Sequence, residues 1–196
     1  MPPRGFYPSS IRSSLGSKNL LTLPTHMDCN NSFKNDEEYF CATLVLMVMD
    51  SGMGNKLFLD FVASLKSHKP GQRLLSRVLG EFNLRPDVIQ PAPGFIGKHY
   101  DRDRVHRILW KIVRGLYFEE NGRTKLLPDD RLCRCQMVSD FLFTHYSWPG
   151  GEWRGRIPDV FTYTSVSDPQ TGQQRWAMRF WERVGCDLVH GIEDGS

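Results

Sequence analysis

The chain has 196 residues, 40% of them hydrophobic and 24% charged, a balance that fits a globular protein with its own core and excludes a disordered tail or a fibrous repeat. A net charge of +3 is compatible with a polyanionic partner without demanding one. The longest apolar run, Phe40 to Met49, covers ten residues against the ~20 that a membrane-spanning helix needs, so no membrane partner is expected.

The opening MPPRGFYPSS lacks the apolar centre of a secretory signal, which predicts a cytoplasmic protein with reduced thiols. Cys29, Cys41, Cys133, Cys135 and Cys186 are odd in number and show no disulfide-framework spacing. Residues 6–24 read as two extended pieces, FYPSSI and NLLTLP, joined through SSLGSK into a hairpin. A helix follows, capped by Asn35 or Asp36 with Glu37 and Glu38 in its first turn, and running through FCATLVLMVM to Ser51-Gly52. Being apolar all round, it must be covered by the rest of the protein.

Two amphipathic helices come next, separated at Lys69-Pro70-Gly71. The first turns Leu57, Phe58, Phe61, Val62 and Leu65 to one side, and the second does the same with Leu74, Leu75, Val78, Leu79 and Phe82. Residues 83–99, with three prolines and a glycine between Pro86 and Gly94, form an irregular linker. DRDRVHRILWKIVRGLYF then makes a helix with Val105, Ile108, Leu109, Ile112, Val113 and Leu116 inward. In the last third the period shortens: FLFTHYSW, VFTYTSV, RWAMRFWERV and CDLVHGI are short, aromatic and partly alternating, with a turn at Asp168-Pro169-Gln170-Thr171-Gly172.

The expected class is therefore α+β: an N-terminal hairpin and helix over 1–50, a helical region over 51–82, the linker 83–99, and a helix with an antiparallel β meander over 100–196.

The stretch RGFYPSSIRSSLGSKNLLTLPTHMDCNNSFKNDEEY, with Pro8, Asn19-Leu20 and His26-x-x-Cys29-Asn30, resembles the ββα-metal core of bacterial HNH-endonuclease-like proteins. KNDEEYF, VHRILWKIVRGLYF and IPDVFTYTSV with RWAMRFWERV resemble the downstream part of uncharacterised members of that group. The resemblance implies a general-base His beside an acid that holds a divalent metal on the scissile phosphate. Counting back from Pro8 puts Arg4-Gly5 at that pair, and neither residue can serve as base or metal ligand. Asn19, which in the family orients the base, and Asn30, at the last metal-facing position, remain. The Cys-x-x-Cys knuckle that such proteins often carry upstream of the pair is not expected, only Met1 to Pro3 preceding it.

His26 and Cys29 read three ways: as a helix-entry turn with a buried thiol, as half of a structural zinc site completed by distant residues, or as part of a nuclease, with zinc or magnesium, that works through some compensating residue. Cys133-x-Cys135 and His145 are the distant groups that could complete a zinc site, although two small packed thiols fit equally. Cys186 and His190 share a strand face and read as core or edge residues. Arg104, Arg107, Lys111 and Arg114 recur at spacings of three, four and three and line one helix face, either to meet phosphates or simply to be solvated; Arg12, Lys18 and Lys34 would add a second phosphate-contacting edge.

In the C-terminal third, aromatics interleave with Arg154, Arg156, Arg175, Arg179 and Arg183. Most of these rings are expected in the core, with a few left for recognition.

Three functions follow from these features. One is an HNH-like, DNA-binding protein with impaired hydrolysis. Another is a non-enzymatic inhibitor or regulator from a mobile element or phage-defence setting, which binds a protein partner through the aromatic meander. The last is an active metal-dependent endonuclease.

Overall fold

The computed structural model describes residues 4–15, 26–65, 69–82, 98–127, 133–138, 148 and 150–190. A 3-10 turn at Arg4–Phe6 leads into helix α1 (Ser9–Leu15), then α2 (Met27–Val45), α3 (Gly52–Leu65), α4 (Lys69–Gly80) and α5 (Arg102–Glu120). Five strands follow: β1 (Cys133–Val138), β2 (Arg154–Ile157), β3 (Phe161–Ser167), β4 (Gln174–Phe180) and β5 (Val184–His190). They form one antiparallel sheet of order β1-β5-β4-β3-β2. The class is α+β, with the helices ahead of the sheet in the chain. No helix among the described residues is long and apolar enough to cross a membrane.

The N-terminus departs from the expected hairpin. Where FYPSSI was to be extended, Pro8 accepts from the backbone N–H of Ile11 and Arg12, and Asp60 of α3 accepts from the Ser9 backbone and hydroxyl. A carboxylate at the first turn favours a helix there over a strand. NLLTLP lies outside the described residues.

α2 also begins earlier than its sequence suggests. His26, with extended backbone, is the N-cap, and Asn35 and Asp36 lie inside the helix. Tertiary partners for Asp36 make its interior position favourable, as described below. α2 stops at Val45 rather than at Ser51, because the Val48 carbonyl turns to accept from Ser51, whose hydroxyl caps the Gly54 N–H of α3. Lys69-Pro70-Gly71 does not break a helix but opens α4, where a proline in the first turn forfeits no hydrogen bond.

α5 matches its predicted pattern. Asp101 caps it by accepting from Arg104 N, and all six residues expected inward are buried. The turn at 168–172 joins β3 to β4, with the Asp168 carboxylate accepting from Gln170 N and the Thr171 hydroxyl. These bonds hold its acid below the ordinary carboxylate range.

Among the described residues the sheet has five strands, of which β1 and β2 were not expected, while FLFT and HYS of the first expected segment lie outside the described residues. β4 and β5 are buried on both faces over Ala177 and Asp187, which removes the clean alternation that sequence reading depends on.

The core sits between the helices and the sheet. Phe6 stacks on Phe40 at 5.1 Å and meets Phe180 and Trp181 at 5.6 and 5.3 Å. Trp181 and Glu182 occupy the left-handed region, with φ of 47° and 61°, in the β4–β5 turn. That conformation, costly for non-glycine residues, drops the Trp181 ring fully into the core, where its Nε1 donates to the Phe6 carbonyl at 2.9 Å. The two ends of the described chain are thereby joined.

Candidate nucleic-acid interface

α2 and α5 pack antiparallel: Lys111 meets Asn30, Arg107 meets Ser32 and Asp36, Arg104 meets Asp36, and the Asp101 backbone N–H donates to the Tyr39 hydroxyl. Three cations of the α5 stripe thus bond α2, Arg104 and Lys111 largely withdrawn from solvent and Arg107 with nearly half of its side chain still exposed. Asp36 is bonded by Arg104 Nε at 2.7 Å and Arg107 Nη1 at 2.8 Å, and Glu37 by Lys111 Nζ at 2.6 Å. Arg107 and Lys111 also lie 4.5 and 4.6 Å from the centre of the Phe33 ring, and Arg104 lies 4.3 Å from that of Tyr39. Nothing within α5 could reveal this, since the signal is a complementary acidic pair on another helix. A sequence does not state which helices pack.

Arg114 is different. One turn beyond Lys111, it is exposed and pairs with no carboxylate among the described residues. Because the helices are antiparallel, that turn lies toward the start of α2. There His26, Cys29 and Asn30 are all exposed, and Lys34 follows Asn30 by one turn, also exposed. The helix-entry turn expected at His26-x-x-Cys29 is present, but the thiol is exposed, not buried.

The remaining site residues scatter. Gly5 is exposed, and a Cβ placed on it would lie 3.5 Å from Cys41 Sγ. Cys41 is about 16 Å along α2 from Asn30 at ~1.5 Å per residue, so the Arg4-Gly5 position does not converge on Asn30. Asn19, Lys18 and His145 lie outside the described residues, as does the side chain of Cys133. Arg12 is part-buried on α1, with an Nε that has no hydrogen-bond partner among the described residues. Cys135 is half-buried on β1 across from Leu188, and Cys186 is buried on β5, where loss of solvent pushes its thiol well up. His190 stacks on Trp110 at 5.5 Å.

The family resemblance implies a divalent metal, and the described residues do not fit one. The Asn30 amide oxygen accepts from the Lys111 ammonium at 3.1 Å, and no group of three or more His, Cys, Asp or Glu among the described residues could hold a metal ion.

The C-terminal aromatics are mainly structural. Phe161, Trp176, Phe180 and Trp181 are buried, while Trp148 and Trp153 pack edge to face and are only half-buried. Their arginines are engaged internally: Arg154 with Glu120, Arg175 with Asp187, Arg179 with the Glu182 carbonyl and Arg183 with Asp50. Tyr163 lies under Arg154, yet burial and then Glu120 push its hydroxyl up to about 12.

The fold and this interface define an α+β protein whose helix entry is lined by amide, thiol, imidazole and cationic groups. Set against family models, curated proteins and solved structures, the chain matches none of them.

Proposed function

We propose that this chain is an HNH-endonuclease-like protein that binds DNA at the start of α2 and has lost hydrolysis. The observation that carries the reading is that two cations beside the Lys111–Asn30 contact are exposed, Arg114 one turn beyond Lys111 on α5 and Lys34 one turn beyond Asn30 on α2. In this reading α2 is the helix of a ββα core. α1 stands where the first strand of such a core is expected, and residues 16–25 lie outside the described residues. Phosphate contacts come from Arg114 and Lys34, since the inner stripe already satisfies Asp36 and Glu37. The separation of Arg4-Gly5 from Asn30 supports binding without cutting.

Titration of a duplex against the wild type and Arg114→Glu/Lys34→Glu tests this. The expected result is weaker binding, with the log–log salt slope reduced by roughly 0.9 for each lost phosphate contact. Unchanged affinity and slope would exclude the interface. Plasmid incubated with the wild type in Mg²⁺ or Mn²⁺ should remain uncut. The protein-binding alternative has less support, because the large aromatics it would use are mostly in the core.

A further inference from the structure

We propose that the cavity between the first two turns of α5 and strand β1 binds a small zwitterion with a planar side chain, of the class of a free aromatic α-amino acid. The site does not rest on the DNA-binding reading. Its Arg102 lies about 18 Å along α5 from Arg114, at ~1.5 Å per residue.

Arg102, His106 and Trp110 follow one another by four residues and so share one face of α5. Trp110 stacks on His190 of β5 at 5.5 Å, which turns that face onto the sheet. Cys135 of β1 pairs with Leu188, a residue on the same strand face as His190. Toward the start of α5, helix and strand enclose a cavity of about 500 Å³, a volume ordinary for a small-molecule site. Tyr100, Arg102, Asp103, His106, Cys135 and Gln136 line it.

Arg102 and Asp103 are exposed and border the same cavity, yet neither forms an ion pair with the other or with any charged group among the described residues. A simple anion would be opposed by the Asp103 carboxylate, and a simple cation by the Arg102 guanidinium. A neutral molecule would use neither charge. A ligand carrying one charge of each sign is met by both side chains through charge-assisted hydrogen bonds. The positive end of the α5 dipole reinforces Arg102, which assigns the ligand's carboxylate to Arg102 and its ammonium to Asp103.

The remaining walls suit a flat group. The Tyr100 ring and the His106 imidazole are planar, and Cys135 adds a soft, weakly polar surface. Burial, and after it Cys135 and Cys186, push the Tyr100 hydroxyl up, so it keeps its proton and remains a donor. His106 Nε2 is cut off from solvent and has no hydrogen-bond partner among the described residues. An unsatisfied buried nitrogen costs free energy, and that cost falls when the ring turns to a hydrogen-bonding ligand.

The probe is L-phenylalanine, titrated into the isotope-labelled full chain and read at the His106 imidazole resonances, which are assigned with His106→Gln. A saturable shift with a Kd of about 1 mM is expected. Phenylacetate and phenethylamine each carry only one of the two charges and should bind at least about tenfold more weakly, each having lost a charge-assisted hydrogen bond. Arg102→Ala and Asp103→Ala alter exposed side chains and should each weaken L-phenylalanine about tenfold. Arg102→Ala should not weaken phenethylamine, nor Asp103→Ala phenylacetate.

Absence of a saturable shift in the wild type at about 10 mM L-phenylalanine would overturn the proposal without depending on how any variant folds. Phenylacetate or phenethylamine binding as tightly as L-phenylalanine would overturn it too, as would full L-phenylalanine affinity in folded Arg102→Ala. None of these titrations contains DNA, so their outcome is separate from that of the duplex experiment.

Discussion

Between Met27 and Glu38, α2 meets α5 through charged and polar side chains, whereas from Tyr39 to Val45 it is mostly buried among rings and aliphatic chains. The first half holds its place by directional bonds between part-exposed groups, which salt weakens and water competes for. The second half is held by area removed from water and by close packing, which are insensitive to salt and costly to disturb. One helix therefore carries two jobs. Its C-terminal half anchors the core, and its N-terminal half can present polar groups because it is not responsible for that anchoring.

The largest expected effect breaks the apolar end. Trp181→Ala removes a ring packed on Phe6 and Phe180 and a hydrogen bond to the Phe6 carbonyl, and should lower stability by about 3–5 kcal/mol in urea denaturation. A loss below about 1 kcal/mol would mean that the core around α2 repacks freely, and the contrast would collapse.

A smaller effect is expected at the polar end. Asp36→Ala leaves Arg104 and Arg107 without their carboxylate and should cost about 1–2 kcal/mol at low salt, reduced because these side chains are partly solvated. The gap between Asp36→Ala and wild type should narrow as salt is raised, whereas that for Trp181→Ala should not. Equal salt responses would show that the two halves are held alike.

The smallest effect needs no mutation. Cys29 and Cys41 lie on the same helix, one exposed at the entry and the other against Gly5 with its thiol pushed well above 9 by burial and then by Glu37. The thiolate is the reactive form, so a maleimide at pH 8 should label Cys29 in the native protein and Cys41 only after unfolding. The sign for stability follows. A raised acid keeps its full contribution below its ordinary pKa and loses it as pH climbs above, so alkaline solution should loosen the Cys41 region. Equal labelling of the two thiols would remove the distinction.

Periodicity within a single segment was enough to place α5, its inward stripe and the β3–β4 turn, because each is specified by neighbours three, four or two residues away. Local composition likewise set the α+β class. The fate of the cations was not legible. Arg104, Arg107 and Lys111 have the same spacing whether they face a phosphate, water or Asp36 and Glu37, and only the antiparallel packing of α2 on α5 selects among these. The start of α2 and the helical form of residues 9–15 were also settled from outside the segment, by α5 for one and by Asp60 for the other. Local pattern states which face of an element is apolar, but the partner of a charge is a property of two distant segments, which become neighbours only when the core between them closes.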